Sequence, residues 1–251
     1  MPRLKVDMSV IAGGEASLDY HRDLQGFIYR VLRETDYDRI HGKPGFKYFV
    51  FSNIFPPSGV FEEGDKKSFL VASPLKGLVE SLADGIRKYL DGELVRIGNI
   101  FFRIRDVKMF RLRVDGSIIE LRTETPVVVR IPRRLFSMYG IESDSGNVFW
   151  KPAYGFKAFE NAVYIGLNKK YRDLYGRDLP TQRVFQRLQL IKTVSYKVRI
   201  KDRLIPIIGS LWRMWYVEPD KDLLKAINFM LDTGIGQRTS LGFGFINPVK
   251  H

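Results

Sequence analysis

A chain of 251 residues, 45% of them hydrophobic, is long enough for one large domain or two of about 100–150 residues and apolar enough to bury a core. No run of about 18 apolar residues occurs, which argues against a membrane-spanning helix, and zero cysteines exclude disulfides and thiolate metal sites. The net charge of +13 is uneven: residues 1–125 carry 20 Lys and Arg against 18 Asp and Glu, whereas residues 126–251 carry 21 against 10. A basic half beside a near-neutral half suits a polyanion, nucleic acid above all; a membrane surface fits less well, and a small-molecule enzyme leaves the charge unexplained.

The start, MPRLKVDMSVIAGGE, is charged and alternating rather than signal-like, so a cytoplasmic protein is expected. Within it Leu4, Val6, Met8 and Val10 alternate with polar residues, the pattern of a half-buried strand. Leu24, Phe27, Ile28, Val31 and Leu32 then recur at helical spacing on one face. Two strands are expected over 46–53 and 67–73. A second amphipathic helix follows, with Leu75, Leu78, Val79, Leu82, Ile86 and Leu90 on its apolar side. Residues 94–123 read as strands with a hairpin signal at Asp115-Gly116. The order β-α-β-β-α-β is the ferredoxin-like arrangement.

The second half repeats that order. PVVVRIP (126–132) reads as a strand and residues 153–175 contain a helix. RLQLIKTVSYKVRI and LIPIIGSLWRMWYV form a long hairpin, a helix covers 220–233, and GFGFINPV is a short last strand. The expectation is an α+β chain of two tandem ferredoxin-like domains, 1–125 and 126–251, with a C-terminal glycine-rich loop. A single mixed domain with one large antiparallel sheet is the alternative.

Few residues suit chemistry. Of the three histidines, His251 is the last residue, and His21 at the start of the first helix is expected to face solvent. His41 lies in the Gly- and Pro-containing loop RIHGKPGFKYF, and loops on rigid scaffolds hold many catalytic groups, although a lone loop His is also an ordinary exposed residue. At 100° per residue Tyr29 points away from the apolar face of its helix and so has no core to fill. Lys47 alternates onto the face of Phe49 and Phe51, either as a snorkelling edge residue or as a cation on an RNA-binding face. A histidine, a phenol and a fixed cation on consecutive elements could cleave a phosphodiester without metal. The acidic run Glu62, Glu63, Asp65 is flanked by Lys66 and Lys67 and reads as a solvated turn; no zinc-type His spacing occurs, and no metal or cofactor is expected.

GIGQRTSLGFG (234–244) follows a helix instead of opening one, so it is no Rossmann or Walker loop. Its glycines, Gly234, Gly236, Gly242 and Gly244, with Arg238 between them, suggest a close approach to phosphates. The other basic concentrations are Arg130, Arg133 and Arg134, and the hairpin residues Lys197, Arg199, Lys201 and Arg203. Tyr196, Trp212, Trp215 and Tyr216 could stack on bases or pack in the core, and packing is the expectation for both tryptophans.

The Gly-x-Gly-x5-Gly-x-Gly pattern of the loop resembles the signature of the RAMP superfamily of CRISPR-associated proteins. With DLQGFIY in the first helix, the chain is similar to the repeat-processing endoribonuclease, the sixth Cas family. The resemblance implies Tyr29, His41 and Lys47 as catalytic residues, with Lys43 a competitor for the cation. It implies cleavage of CRISPR precursor RNA within its repeats by 2′-OH attack, leaving 2′,3′-cyclic phosphate and 5′-OH ends and releasing guide RNAs. The partners it implies are repeat RNA, single-stranded or hairpin, subunits of a CRISPR effector complex, and a second copy in a homodimer. A non-cleaving RAMP-type repeat-binding protein is the alternative.

Overall fold

In a computed structural model of the chain, residues 2–15, 20–33, 35–40, 42, 45–200 and 203–249 are described, with backbone only at 91, 197–200 and 203–205. The chain forms two compact units, Met1–Leu112 with Ser240–Gly242, and Arg113–Thr239 with Phe243–His251. No helix among the described residues is long and apolar enough to cross a membrane.

The first unit contains, in chain order, β1 (Pro2–Ala12), β2 (Gly14–Glu15), α1 (Tyr20–Leu32), β3 (Val50–Phe51), β4 (Val60–Phe61), β5 (Lys66–Ala72), α2 (Lys76–Arg87), β6 (Leu94–Ile97) and β7 (Ile100–Arg111). An antiparallel sheet runs β3-β5-β1-β7-β6, and β2 with β4 forms a separate two-residue ladder. The alternation in β1 does what the period of two requires: Leu4, Val6, Met8 and Val10 all reach the core. They meet Leu24, Phe27, Ile28, Val31 and Leu32 of α1 and Leu78, Val79, Leu82, Ala83 and Ile86 of α2. Leu90, expected on that face, falls in the one-turn helix after α2 and is exposed.

The second unit contains β8 (Ile118–Thr123), β9 (Arg130–Pro132), β10 (Asn147–Phe149), α3 (Gly155–Tyr175), β11 (Arg187–Ile200), β12 (Arg203–Val217), α4 (Lys221–Thr233) and β13 (Ile246–Pro248). Its sheet runs β11-β12-β8-β13, again antiparallel throughout. Asp220 caps α4, its carboxylate accepting from the Asp222 and Leu223 amides. Trp212 lies fully buried, stacked on Phe159 at 4.2 Å and donating its indole N–H to Ser210 at 2.7 Å. Tyr216 is also buried and donates its hydroxyl to the Val184 carbonyl at 3.1 Å, so it is not a base-stacking platform.

Three expectations about elements need correction. Only Val50 and Phe51 of the 46–53 run form a strand, because Tyr48 adopts φ 52°, outside the extended region. Asp115-Gly116 is not a hairpin: β7 and β8 belong to different sheets, and the short turn lies instead between β6 and β7, where Ile97 pairs Ile100. The stretch around Asp115 joins the two units, with Val114 held at both its N–H and its carbonyl by Asn228 of α4. Finally, the first strand of the second sheet is β8 and not residues 126–132. There Pro126 has no N–H to give, Val127 makes a single bridge to Ser210, and Val128 makes one to Gln237 instead of continuing along the sheet. The division between units accordingly precedes β8, ahead of the expected Thr125-Pro126 boundary. With β8 in that place, β3-β5-β1-β7 and β11-β12-β8-β13 show one and the same order.

The helix pair of the first unit meets at Gly85 of α2. A Cβ built there lies 2.4 Å from Val31 Cγ1 and 3.3 Å from the Val31 carbonyl oxygen. In an exposed helix Gly→Ala stabilises by about 1 kcal/mol. Here the sign should reverse: Gly85→Ala is expected to cost about 1–3 kcal/mol in urea unfolding, because α1 and α2 must separate.

Candidate functional site

The site in the first unit starts from α1. Gln25 and Tyr29 stand four residues apart and share a helix face. The Tyr29 hydroxyl is hydrogen-bonded to the side chains of Ser240 and Gln25. Gln25 Nε2 also donates to the Ser240 carbonyl at 2.6 Å. The Tyr29 ring meets Phe49 edge-on, centroids 5.6 Å apart at 82°. Tyr29 is thus half-buried against the core rather than turned to solvent with nothing to fill, which corrects the helical-wheel expectation. Burial raises its pKa, and the two side-chain hydrogen bonds act in the opposite direction.

Phe49 and Phe51 are fully buried, with centroids 6.5 Å apart. Lys47 precedes them outside any strand, half-buried, and desolvation lowers its pKa. The positive φ of Tyr48 interrupts the strand between them, so strict alternation does not put Lys47 on the face of Phe49 and Phe51. His41 and its neighbour Lys43 lie outside the described residues.

His21 differs from its expected solvent-facing role. Its ring lies 4.3 Å from Tyr20 and 6.0 Å from Phe51, and it is hydrogen-bonded to the Asn53 side chain and the Leu241 backbone. Burial pushes its pKa down to about 4, so the imidazole is neutral at physiological pH. The covering segment is Ser240–Gly242, which belongs to this unit although it comes from the far end of the sequence. Gly242 holds φ 82°, and a Cβ there lies 2.5 Å from Phe51 Cε2 and 2.6 Å from His21 Nδ1. Nothing in the local sequence around His21 signals this cover.

The rest of the glycine loop belongs to the second unit. Gly236 (φ 79°) has room for no Cβ, which would lie 2.6 Å from the Val128 carbonyl oxygen; at Gly244 (φ 71°) it would lie 1.9 Å from that of Ile235. The N–H groups of Gly234, Ile235, Gln237 and Gly244 donate to the carbonyls of Met230, Gly244, Val128 and Pro126 at 2.7–3.0 Å. Gly236 and Gly244 are therefore required by close approach to the protein's own backbone, and these four amides are spent inside it. Arg238, half-buried at φ 59°, is the loop's exposed-side cation. Desolvation lowers its pKa first, and the neighbouring positive charge of Arg130 on β9 lowers it further. Two guanidiniums that repel one another across a partly dry site favour an anion between them.

Below the loop sits a cation that no sequence pattern singles out. Lys170 of α3 is buried, with Nζ donating to the Thr233 carbonyl at 3.3 Å, the Gly234 carbonyl at 3.4 Å and Thr239 Oγ1 at 3.5 Å. It occupies the C-terminal end of α4, where a positive charge is favoured. Burial pushes its pKa down to about 7.

Arg133 and Arg134 are exposed in a single helical turn directly after β9. Lys197 and Arg199 lie on β11 and Arg203 opens β12, opposite Pro206, Leu204 and Ile200 respectively; Lys201 lies outside the described residues. Tyr196 is half-buried against Phe243, and Arg187 covers the Trp215 ring at 5.4 Å. Among the described residues, no group of three or more His, Asp or Glu side chains could hold a metal ion.

A family model described as CRISPR associated protein Cas6, C-terminal, matches residues 111–248. The chain is 31% identical over 258 residues to a Haloferax mediterranei protein named CRISPR-associated endoribonuclease Cas6, covering 99% of this chain and 94% of that one. It is 29% identical over 236 residues to the CRISPR-associated endoribonuclease Cas6 2 of Methanocaldococcus jannaschii, covering 90% and 91%. Among solved structures, one described as CRISPR associated protein Cas6 superposes with a TM-score of 0.69 at 21% identity, covering 99% of each chain.

The cover over α1 is testable by NMR. His21 should titrate near pH 4 in the wild type, and Gly242→Ala should move it up toward 6.5 as the segment is pushed away. An ordinary titration of His21 in the wild type would contradict the geometry.

Proposed function

The chain belongs to the Cas6 family of CRISPR-associated endoribonucleases, and from that premise we propose that it cleaves CRISPR precursor RNA within its repeats, without a metal. The single observation that carries this reading is the fixed Tyr29 phenol. It is hydrogen-bonded at its oxygen and rests edge-on against Phe49, two residues from Lys47. In the chemistry proposed, a bond forms between the ribose 2′-oxygen and the adjacent phosphorus, and the bond from phosphorus to the 5′-oxygen breaks. The 2′-OH proton passes to a base, and a proton is delivered to the departing 5′-oxygen, leaving 2′,3′-cyclic phosphate and 5′-OH ends.

The site residues take roles that suit their environments. Burial raises the Tyr29 phenol, so it remains protonated at neutral pH and is suited to donate a proton rather than to accept one. His41 is then the residue suited to take the 2′-OH proton, since imidazole is the side chain whose protonation changes nearest neutral pH. Lys47, partly desolvated, supplies positive charge to the phosphorane, where a fixed cation counts most. Arg130 and Arg238, with exposed Arg133 and Arg134, form the basic ground on which the RNA backbone would lie. Lys197, Arg199, Lys201 and Arg203 of the hairpin sequence are further candidates for contact with RNA phosphates.

We also read both units as ferredoxin-like. The shared order β3-β5-β1-β7 and β11-β12-β8-β13 supports a duplication, with the domains taken as 1–112 and 113–251 apart from the segment 240–242.

The test is a labelled repeat RNA in excess EDTA. The wild type is expected to make one cut within the repeat. His41→Ala should bind equally and cut at least about 100-fold more slowly. Binding by both proteins with cleavage by neither would favour a repeat-holding protein that does not cut.

A further inference from the structure

Ser240 stands 211 residues from Tyr29 in sequence, yet its side chain is hydrogen-bonded to the phenol. We infer that Ser240 and Gln25 are positioning residues for the Tyr29 phenol, and that the tip of the glycine loop exists to carry Ser240 to it. This rests on the reading of Tyr29 as a proton-handling residue.

Three consecutive residues are fastened separately. The Ser240 carbonyl accepts from Gln25 Nε2 at 2.6 Å, the Leu241 backbone is hydrogen-bonded to His21, and Gly242 lies flat on Phe51 and His21 where no Cβ fits. All of these partners except Phe51 lie on α1, at positions 21 and 25, on either side of the first turn that leads to Tyr29. Backbone fastening alone would hold the loop in place with any small residue at 240. What needs a serine is the contact from its side chain to the phenol. Gln25 has two amide hydrogens, so it can serve the Ser240 carbonyl with one and the phenol with the other. Both contacts favour the ionised phenol, as donors to its oxygen do. A phenol held by two side-chain contacts has less freedom to turn, so proton transfer from it would depend on both partners.

His21 belongs to the same arrangement. An imidazole kept neutral by burial can lie against the loop without bringing an unpaired charge, so the fastening holds through the neutral pH range. Charging it would require pH near 4.

The test uses single-turnover cleavage of repeat RNA in EDTA with enzyme in excess. Ser240→Ala should slow the chemical step about tenfold or more and leave RNA affinity within about twofold, because the residue acts on the phenol and not on the RNA. In a Tyr29→Phe background the same change should cost nothing further, and Ser240→Thr should restore most of the rate. Equal slowing in both backgrounds, or a loss that appears as weaker RNA binding, would overturn the inference and leave the nuclease reading intact. A wild type that does not cut would overturn the nuclease reading instead, and a second readout separates the two. With tyrosine ring carbons labelled and Tyr29 assigned from Tyr29→Phe, its ionisation should move to higher pH in Ser240→Ala. An unmoved Tyr29 would sink the positioning contact whether or not RNA is cut.

Discussion

The arrangement depends on a missing side chain at Gly242. With φ in the left-handed region and a Cβ position already occupied by Phe51 and His21, this residue can be nothing larger. That closeness brings Leu241 within hydrogen-bonding reach of His21 and Ser240 within reach of Gln25 and Tyr29. A segment from the end of the sequence is thereby counted in the first compact unit. Gly236 and Gly244 work on the same principle in the second unit, where they lie against the carbonyl oxygens of Val128 and Ile235. At these three glycines the motif is a set of close approaches of the chain to itself.

Burial tunes the ionisable groups in ways that suit one another. His21 is kept neutral, Tyr29 is kept protonated, and Lys170 is brought down to about 7 beneath the root of the loop. In each case desolvation is the leading cause, and for His21 and Tyr29 hydrogen bonds act against it. Lys170 lies where α4 ends, so its donors meet carbonyls that the helix cannot satisfy itself. The basic charge on the outside is a different matter. Arg130 and Arg238 are partly dry and repel one another, a costly pairing for a protein alone and a favourable one around a phosphate.

Much of the fold could be read from periodicity. The apolar faces of α1 and β1 came out as their spacing required, residue for residue, because burial on one face is what those periods record. The failures were at junctions, where local signals carry less. Asp115-Gly116 has turn chemistry, but whether two strands pair across a turn depends on sheets assembled from distant segments, and here they do not. PVVVRIP has strand composition, but only Arg130–Pro132 forms a strand, while Val127 and Val128 make single bridges to different partners. In the candidate site, Tyr29 could be picked out by its position on the helix, while its partner could not. Ser240 reaches it only through tertiary structure, and the same holds for the cover over His21 and for Lys170 beneath the loop. Loop position drew attention to His41 and strand alternation to Lys47, each with an ordinary reading beside it, and the family resemblance is what implies them as catalytic residues.

The central claim is that the ribose beside the scissile phosphate provides the nucleophile. The most direct measurement maps the cut in repeat RNA and then replaces that nucleotide's ribose with 2′-deoxyribose. The modified RNA should bind with unchanged affinity and remain intact, while the unmodified RNA yields a 5′ fragment whose mass shows a 2′,3′-cyclic phosphate. Cleavage of the deoxy-substituted RNA, with 3′-OH and 5′-phosphate ends, would contradict the account.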